Sequence, residues 1–255
     1  MIANYHAHTT RCNHAFGTEK EYIEAAIRRG LNIFGFSDHS PQFFPGDYYT
    51  HMRMRPYELL DYCTTVRGLR HEFQGQIEIP LGLEAEYYPA YWEELLSRAG
   101  DSGVEYLILG QHWLGNELNE PGSATATADE NLLRRYCHQV MDALDTGKFT
   151  YIAHPDLFNF VGDHSIYRSH MRELVRAAKE SGTPLELNLL GMAARRHYPN
   201  ESFFEVVAEE GCPVILGMDA HAPQHVLKTE LEEKAMEIVH RLGLNLLETV
   251  PLRSL

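Results

Sequence analysis

Apolar positions along the chain fall in short runs separated by longer amphipathic stretches, an alternation that predicts repeated strand–helix units around a parallel sheet. Seven runs have the length and composition of strands: Ile2–His6, Asn32–Phe36, Ile77–Leu83, Tyr106–Leu109, Thr150–Ala153, Leu185–Leu189 and Val214–Leu216. Helical periodicity fills the gaps. In Glu19–Arg29, Tyr22, Ile23, Ala26 and Ile27 share one face and Gly30 ends the segment. Further helices are expected over Pro56–Phe73, Tyr91–Ala99, Asn131–Leu144, Tyr167–Ser181, Ser202–Glu210 and Thr229–Leu242. Periodicity alone fits either a closed barrel or an open doubly wound sheet. No repeat of 20 to 50 residues is present, which excludes a solenoid or propeller.

Two segments lack either periodicity. Ser40–Arg55 carries Pro41, Pro45, Gly46 and many aromatics, and Gly115–Asp129 is rich in Gly, Ser, Ala and Thr. Loops of this length are more often functional or mobile than accidental. Both follow predicted strands, so both should cover the same end of a barrel.

Composition changes this picture little. With 255 residues, 44% hydrophobic and 23% charged, one globular domain spanning residues 1–255 is expected. The net charge of -14 argues against a general nucleic-acid binder, which needs clustered Lys and Arg. A small anionic substrate remains compatible, because a local cation cluster inverts the field where an anion docks. Cys12, Cys63, Cys137 and Cys212 form no CxxC pair, so neither a disulfide framework nor a thiolate zinc site is expected. The first residues lack a basic start and an apolar core, and no run reaches the ~20 residues of a membrane span. A cytoplasmic protein is expected.

The informative histidines sit at strand ends. The first strand ends in His6-Ala7-His8, where period-two alternation puts both imidazoles on one face, spaced to grip one ion. The second runs into Asp38-His39, the third into Glu84-Ala85-Glu86, the fourth into Gln111-His112, the fifth into His154-Pro155-Asp156 and the seventh into Asp219-Ala220-His221. Any one of these side chains is more readily explained as a cap or core residue. Six strands delivering such groups to one barrel mouth is different, because crowded imidazoles and carboxylates carry desolvation and repulsion costs that a bound cation removes.

This pattern resembles the polymerase and histidinol phosphatase (PHP) superfamily over nearly the whole chain. The resemblance implies a distorted seven-stranded (β/α)7 barrel with clustered metals. The superfamily's ligand positions are filled by His6, His8, His14, His39, Glu84, His112, His154, Asp219 and His221. It further implies three divalent ions: one held by His6, His8, Glu84 and Asp219, a second by Glu84, His112 and His154, a third by His14, His39 and His221. Nitrogen and oxygen donors suit zinc, manganese or iron alike. Asp38 and Asp156, next to ligands, are candidates to orient imidazoles from behind, or simply to cap turns.

Within the superfamily, the phrases Phe36-Ser37-Asp38-His39-Ser40-Pro41, Glu84-Ala85-Glu86-Tyr87-Tyr88-Pro89, and Glu186-Leu187-Asn188 with Tyr198-Pro199 resemble the short histidinol-phosphate phosphatases. That resemblance implies hydrolysis of a phosphomonoester by direct attack of ionised water, with Glu84, Asp219 and His221 in the chemistry and Asp219, His221 or a metal-bound water handling the leaving group's proton. Arg168 and Arg195 are the expected phosphate contacts, with Arg196 the competitor at the second position. Phe43, Phe44, Tyr48, Tyr49 and Trp113 are candidates for an aromatic wall around the substrate ring, or plain loop packing. Asp47 or Glu117 would meet a substrate ammonium, if either is not surface. A phosphoesterase for another small ester, a catalytically silent metal-binding module and a metal-dependent amidohydrolase are the competing readings. The last lacks the expected bridging lysine.

Overall fold

The computed structural model describes residues 1–255. The chain runs through β1 (Ala3–Asn4), α1 (Glu19–Arg29), β2 (Ile33–Phe34), β3 (Phe36–His39), α2 (Leu59–Glu72), β4 (Leu81–Ala85) and α3 (Trp92–Asp101). It continues through β5 (Tyr106–Leu109), α4 (Glu130–Asp145), β6 (Phe149–Ile152), α5 (His164–Glu180), β7 (Leu185–Asn188) and α6 (Leu189–Ala193). The last elements are α7 (Glu201–Glu210), β8 (Pro213–Gly217), α8 (Pro223–Val226), α9 (Thr229–Leu242) and β9 (Asn245–Leu247).

Strands β3 to β9 pair in sequence order, all parallel, and β1 pairs with β2. Extended chain beyond β1 joins the two edges. Ser37 N donates to Ala7 O, His8 N donates to Ala220 O and Ala220 N returns to His6 O, at 2.9, 2.9 and 3.2 Å. The segment through His8 therefore lies between the ends of β3 and β8 and closes a distorted (β/α)7 barrel. β9 flanks the lower part of β8, at Pro213–Ile215.

Side-chain alternation separates two apolar layers. Leu81, Leu83, Leu107, Leu109, Leu185, Leu187, Val214 and Leu216 pack outward with Tyr22, Val66, Leu95, Val140, Leu174 and Val206 of the helices. Tyr106, Ile108, Tyr151 and Ile215 take the alternate positions and pack with Tyr5 in a second, smaller cluster. Each fully buried side chain of this size contributes about 1.5–3 kcal/mol. Tyr106 fills the space left by two glycines. A Cβ on Gly82 would lie 2.3 Å from its ring, and one on Gly35 2.4 Å from its hydroxyl. That hydroxyl donates to Tyr5 O and is 3.1 Å from Phe36 O.

The helical reading holds closely. α1 begins and ends where its pattern predicts, with a Thr18–Glu21 capping box and a left-handed Gly30. The first expected strand shortens to Ala3–Asn4, and the strand reading needs three further adjustments. The second predicted strand is two pieces broken at Gly35 and carried on to His39; the third is displaced to Leu81–Ala85, with Ile77 and Ile79 leading in; and β9 is additional. α6 and α8 are too short to show a period. No helix is long and apolar enough to cross a membrane.

Candidate metal centre

All nine side chains of the expected ligand set converge on one end of the barrel. Glu84 lies at the centre. Its Oε1 is 2.8 Å from His154 Nε2 and 3.5 Å from His112 Nε2, and its Oε2 is 3.6 Å from both His6 Nε2 and His8 Nε2. Asp219 Oδ1 faces the same pair, 3.6 Å from His6 Nε2 and 3.1 Å from His8 Nε2. His14, delivered by the short turn after the first strand, forms a third group with His39 and His221, their donor atoms within 4.8 Å of one another. Small residues make the room: a Cβ on Gly110 would lie 2.0 Å from Glu84 Oε1. His154 and Asp219 have left-handed backbone, with φ of 30° and 50°, a conformation that costs about 1–3 kcal/mol and concentrates at functional sites.

The arrangement fits divalent cations. His6 Nε2, His8 Nε2, His39 Nδ1 and Glu84 Oε2 are buried and have no hydrogen-bond partner, which is costly unless something else fills the gap. His39 Nδ1 comes within 2.9 Å of Glu84 Oε2 without the alignment of a hydrogen bond. Burial raises the Glu84 carboxyl, but His39, His112 and His6 and the hydrogen bond from His154 hold it well below the usual range. Asp219 is held down in the same way by His6, His221 and His8. Burial lowers His8, yet the adjacent carboxylates of Asp219 and Asp38 push it up to about 9, whereas burial takes His39 down to about 3. Without cations, protons on some imidazoles balance the carboxylates, and cations would replace those protons. Cys12 lies beside His8 and His221, but burial and Asp38 keep its thiol protonated. The donor set is nitrogen and oxygen.

Behind these groups a ring of carboxylates turns the imidazoles. Glu186 Oε1 is 2.7 Å from His6 Nδ1, Asp38 Oδ1 is 3.4 Å from His8 Nδ1 and Glu86 Oε1 is 2.9 Å from His112 Nδ1. Each leaves Nε2 facing the centre, the geometry by which outer carboxylates orient metal-binding histidines. Asp38 meets its expectation and also accepts from Thr9. Asp156 does not. It accepts from Asn200 N at 2.5 Å, and burial pushes its carboxyl up to about 7. Glu186 and Glu86 are the residues that sequence reasoning left without this role. For Glu186 the available signal was an acid at an inward position of an otherwise apolar strand.

A cavity of about 420 Å³ opens above the cluster, lined by His14, His39, Glu84, His112, His154, Asp219 and His221 on its floor and by Met52, Trp113, Leu157, Leu190, Arg196 and Tyr198 around its wall. With this donor set and cavity in view, similarity to known proteins is decisive. Residues 4–189 match the PHP domain. The chain belongs to the PHP domain family. The match takes in seven of the nine residues and ends before Asp219 and His221. A Deinococcus radiodurans protein named "Probable histidinol-phosphatase" is 31% identical over 234 residues, 88% of each chain. The Bacillus subtilis histidinol-phosphatase is 25% identical over 250 residues, covering 85% of this chain and 92% of its own. Among solved structures, histidinol phosphate phosphatase of Lactococcus lactis, complexed with zinc, L-histidinol and phosphate, superposes with a TM-score of 0.75 at 19% identity, covering 99% of this chain and 97% of that one.

The wall of this PHP site corrects several expectations. Arg168 is on the outer surface of α5, where it pairs with Glu205 at 2.7 Å and Glu209 at 2.6 Å of α7, so it cannot reach the cavity. Arg195 occupies a left-handed turn (φ 52°) after α6 and does not line the cavity, whereas its neighbour Arg196, exposed like it, lines the cavity over the Tyr198 ring and donates to the Tyr198 hydroxyl. Of the five aromatic candidates, only Trp113 lines the cavity. Phe44, Tyr48 and Tyr49 line a separate hollow with Asp47, and Phe43 packs against the outer core. Glu117 is buried against Arg53.

Proposed function

We propose that the chain is a metal-dependent phosphatase that hydrolyses L-histidinol phosphate to L-histidinol and inorganic phosphate, a step of histidine biosynthesis. The observation that carries the phosphatase reading is the bridging place of Glu84 between two groups of otherwise unpartnered ligand atoms. The choice of ester is supported by the relatives' names. Three divalent ions of the zinc, manganese or iron class suit the donor set, held by His6, His8, Glu84 and Asp219, by Glu84, His112 and His154, and by His14, His39 and His221. Such ions supply Lewis-acid stabilisation of phosphoryl charge and a water that ionises near neutral pH.

The protein's own residues do the rest. Arg196 offers a planar fork to the phosphoryl oxygens. Trp113, Leu157 and Leu190 exclude water around the alcohol portion. Water attacks phosphorus in line as the ester P–O bond breaks, without a covalent enzyme intermediate. Asp219, kept ionised by neighbouring imidazoles, accepts the proton of the attacking water. His221 Nδ1, 3.2 Å from Asp219 Oδ1, holds that carboxylate in place, and Asp219 returns the proton to the departing alkoxide. Residues 1–255 act as one barrel domain on a small-molecule ester, in the cytoplasm and without nucleic acid; the net charge of -14 and four buried free cysteines agree with this.

The test is phosphate release by metal-loaded protein from a panel of phosphomonoesters. Histidinol phosphate should give the highest kcat/KM. Preference for a nucleotide or sugar phosphate would overturn the substrate, and no release from any ester would overturn the phosphatase.

A further inference from the structure

The two long loops meet at one buried guanidinium. Arg53, 2% exposed, lies near the end of the first loop, and its five N–H donors are all engaged. Nη1 donates to Ser40 O at 2.9 Å and to Glu86 Oε2 at 2.8 Å. Nη2 donates to Glu86 Oε1 at 2.9 Å and to Glu117 Oε2 at 2.5 Å, and Nε lies 3.2 Å from both Glu117 oxygens. The contact with Glu86 is therefore a two-pronged fork, the geometry that fixes the plane of a carboxylate as well as its charge. The same Glu86 Oε1 is 2.9 Å from His112 Nδ1.

His112 needs such support. It lies three residues beyond the end of β5, on irregular chain, and its side chain is 18% exposed, against 0 to 3% for His6, His8 and His154. Glu86 supplies the one side-chain hydrogen bond that holds its ring. A carboxylate that rotated would release the imidazole. We propose that Arg53 is a positioning residue for the cation place formed by Glu84, His112 and His154: by clamping Glu86 it sets the ring plane and tautomer of His112 and leaves Nε2 free for the ion. The inference rests on His112 being a cation ligand, as assigned under the proposed function.

The experiment strips the full-length protein with a chelator, reloads it with Mn²⁺ and measures the number and affinity of bound ions by calorimetry, with the melting temperature of the cation-free protein alongside. Arg53→Met should weaken one ion by about 10–100-fold and leave the others at wild-type affinity. Arg53→Lys, which keeps the charge without the fork, should fall between. His112→Ala should weaken the same ion, and adding Arg53→Met to it should cause no further loss, the non-additivity expected of one chain of contacts. Glu117→Ala, which cuts the loop tie but spares the fork on Glu86, should keep every ion. If His112→Ala weakens an ion and Arg53→Met does not, the positioning role is wrong and the ligand assignment stands. If His112→Ala keeps every ion, the ligand assignment fails and takes this inference with it. Uniform weakening of all ions, or additive losses in the double variant, would reduce Arg53 to general support of the loops. Should Arg53→Met not fold, an Arg53→Lys protein with undiminished affinity for every ion overturns the proposal.

Discussion

Replacing Glu186 by Gln probes how the barrel wall controls its own ligands. Three donors converge on the two Glu186 oxygens: His6 Nδ1 on Oε1 at 2.7 Å, and His154 N and Asn188 Nδ2 on Oε2 at 2.9 and 2.8 Å. A glutamine has one acceptor oxygen and one donor amide, so it cannot serve both sides. With its oxygen toward His6, the buried His154 N–H and the Asn188 amide face an NH2 group, and an unsatisfied buried donor costs about 1–3 kcal/mol. With its oxygen toward the pair, the NH2 group meets His6 Nδ1. The imidazole must then carry its proton on Nε2, the nitrogen aimed at the cation. The second arrangement satisfies more donors and should dominate. Loss of an orienting partner of this kind weakens metal binding by about 10–100-fold, or about 1.4–2.8 kcal/mol. The assay is competition for Mn²⁺ or Zn²⁺ between the protein and a chelating dye at neutral pH. Gly217→Ala should behave alike, since its Cβ would lie 1.7 Å from Glu186 Oε1. A Glu186→Gln protein that binds every ion with wild-type affinity would refute the reasoning.

Arg196→Ala should lower kcat/KM by about 2.7–4 kcal/mol, by analogy with lost oxyanion donors, at unchanged ion content, while Arg168→Ala stays near wild type; steady-state kinetics with metal analysis decides. Chelation should lower the melting temperature. Cation at 100 times its Kd contributes about 2.7 kcal/mol, roughly 5–11 °C for a chain of this size, and an unchanged melting curve would contradict a buried cation cluster. Burial raises the Glu86 carboxyl, but Arg53 and His112 bring it down to about 2 from an ordinary 4.5. A depressed folded value means that its stabilisation, a few kcal/mol, is complete above about pH 4.5 and disappears as pH falls through about 2. Glu86→Gln should therefore flatten the acid limb of urea-unfolding stability in the cation-free protein.

The ligands were legible because strand alternation and the barrel's single functional end both operate at the level of sequence. His6 and His8 share a face by period two, and every other predicted ligand except His14, which a turn delivers, stands within a few residues of a strand's end. What stayed hidden depends on contacts between distant segments. Glu186 reads as a stray acid until β7 is placed beside His6. Arg53 and Arg55 look equivalent in a proline-rich loop, and only packing buries Arg53 on Glu86. Arg195 and Arg196 are told apart by the left-handed backbone of Arg195 after a helix of five residues, a detail below the resolution of any periodicity. Arg168 misled because a helix start can face the mouth or the outside, and here the acids of α7 hold it outside. The third strand was displaced because Ile77 and Ile79 continue the apolar pattern ahead of the paired residues.

Tyr106, wedged beneath the ligands with Tyr5, Tyr151, Ile108 and Ile215, stops the barrel below the site. The reaction chamber is thus a blind pocket, and traffic through it has an order. An ester that enters with its phosphoryl group leading leaves its alcohol nearer the opening after cleavage, so the alcohol departs first and inorganic phosphate last. Phosphate can then occupy the resting enzyme and compete with the ester for it, while the alcohol can return only to the phosphate-occupied form. Product inhibition becomes asymmetric: competitive for phosphate, noncompetitive for the alcohol. In a cell where phosphate is abundant, the plug would tie the enzyme's throughput to the phosphate level and not to accumulation of its organic product.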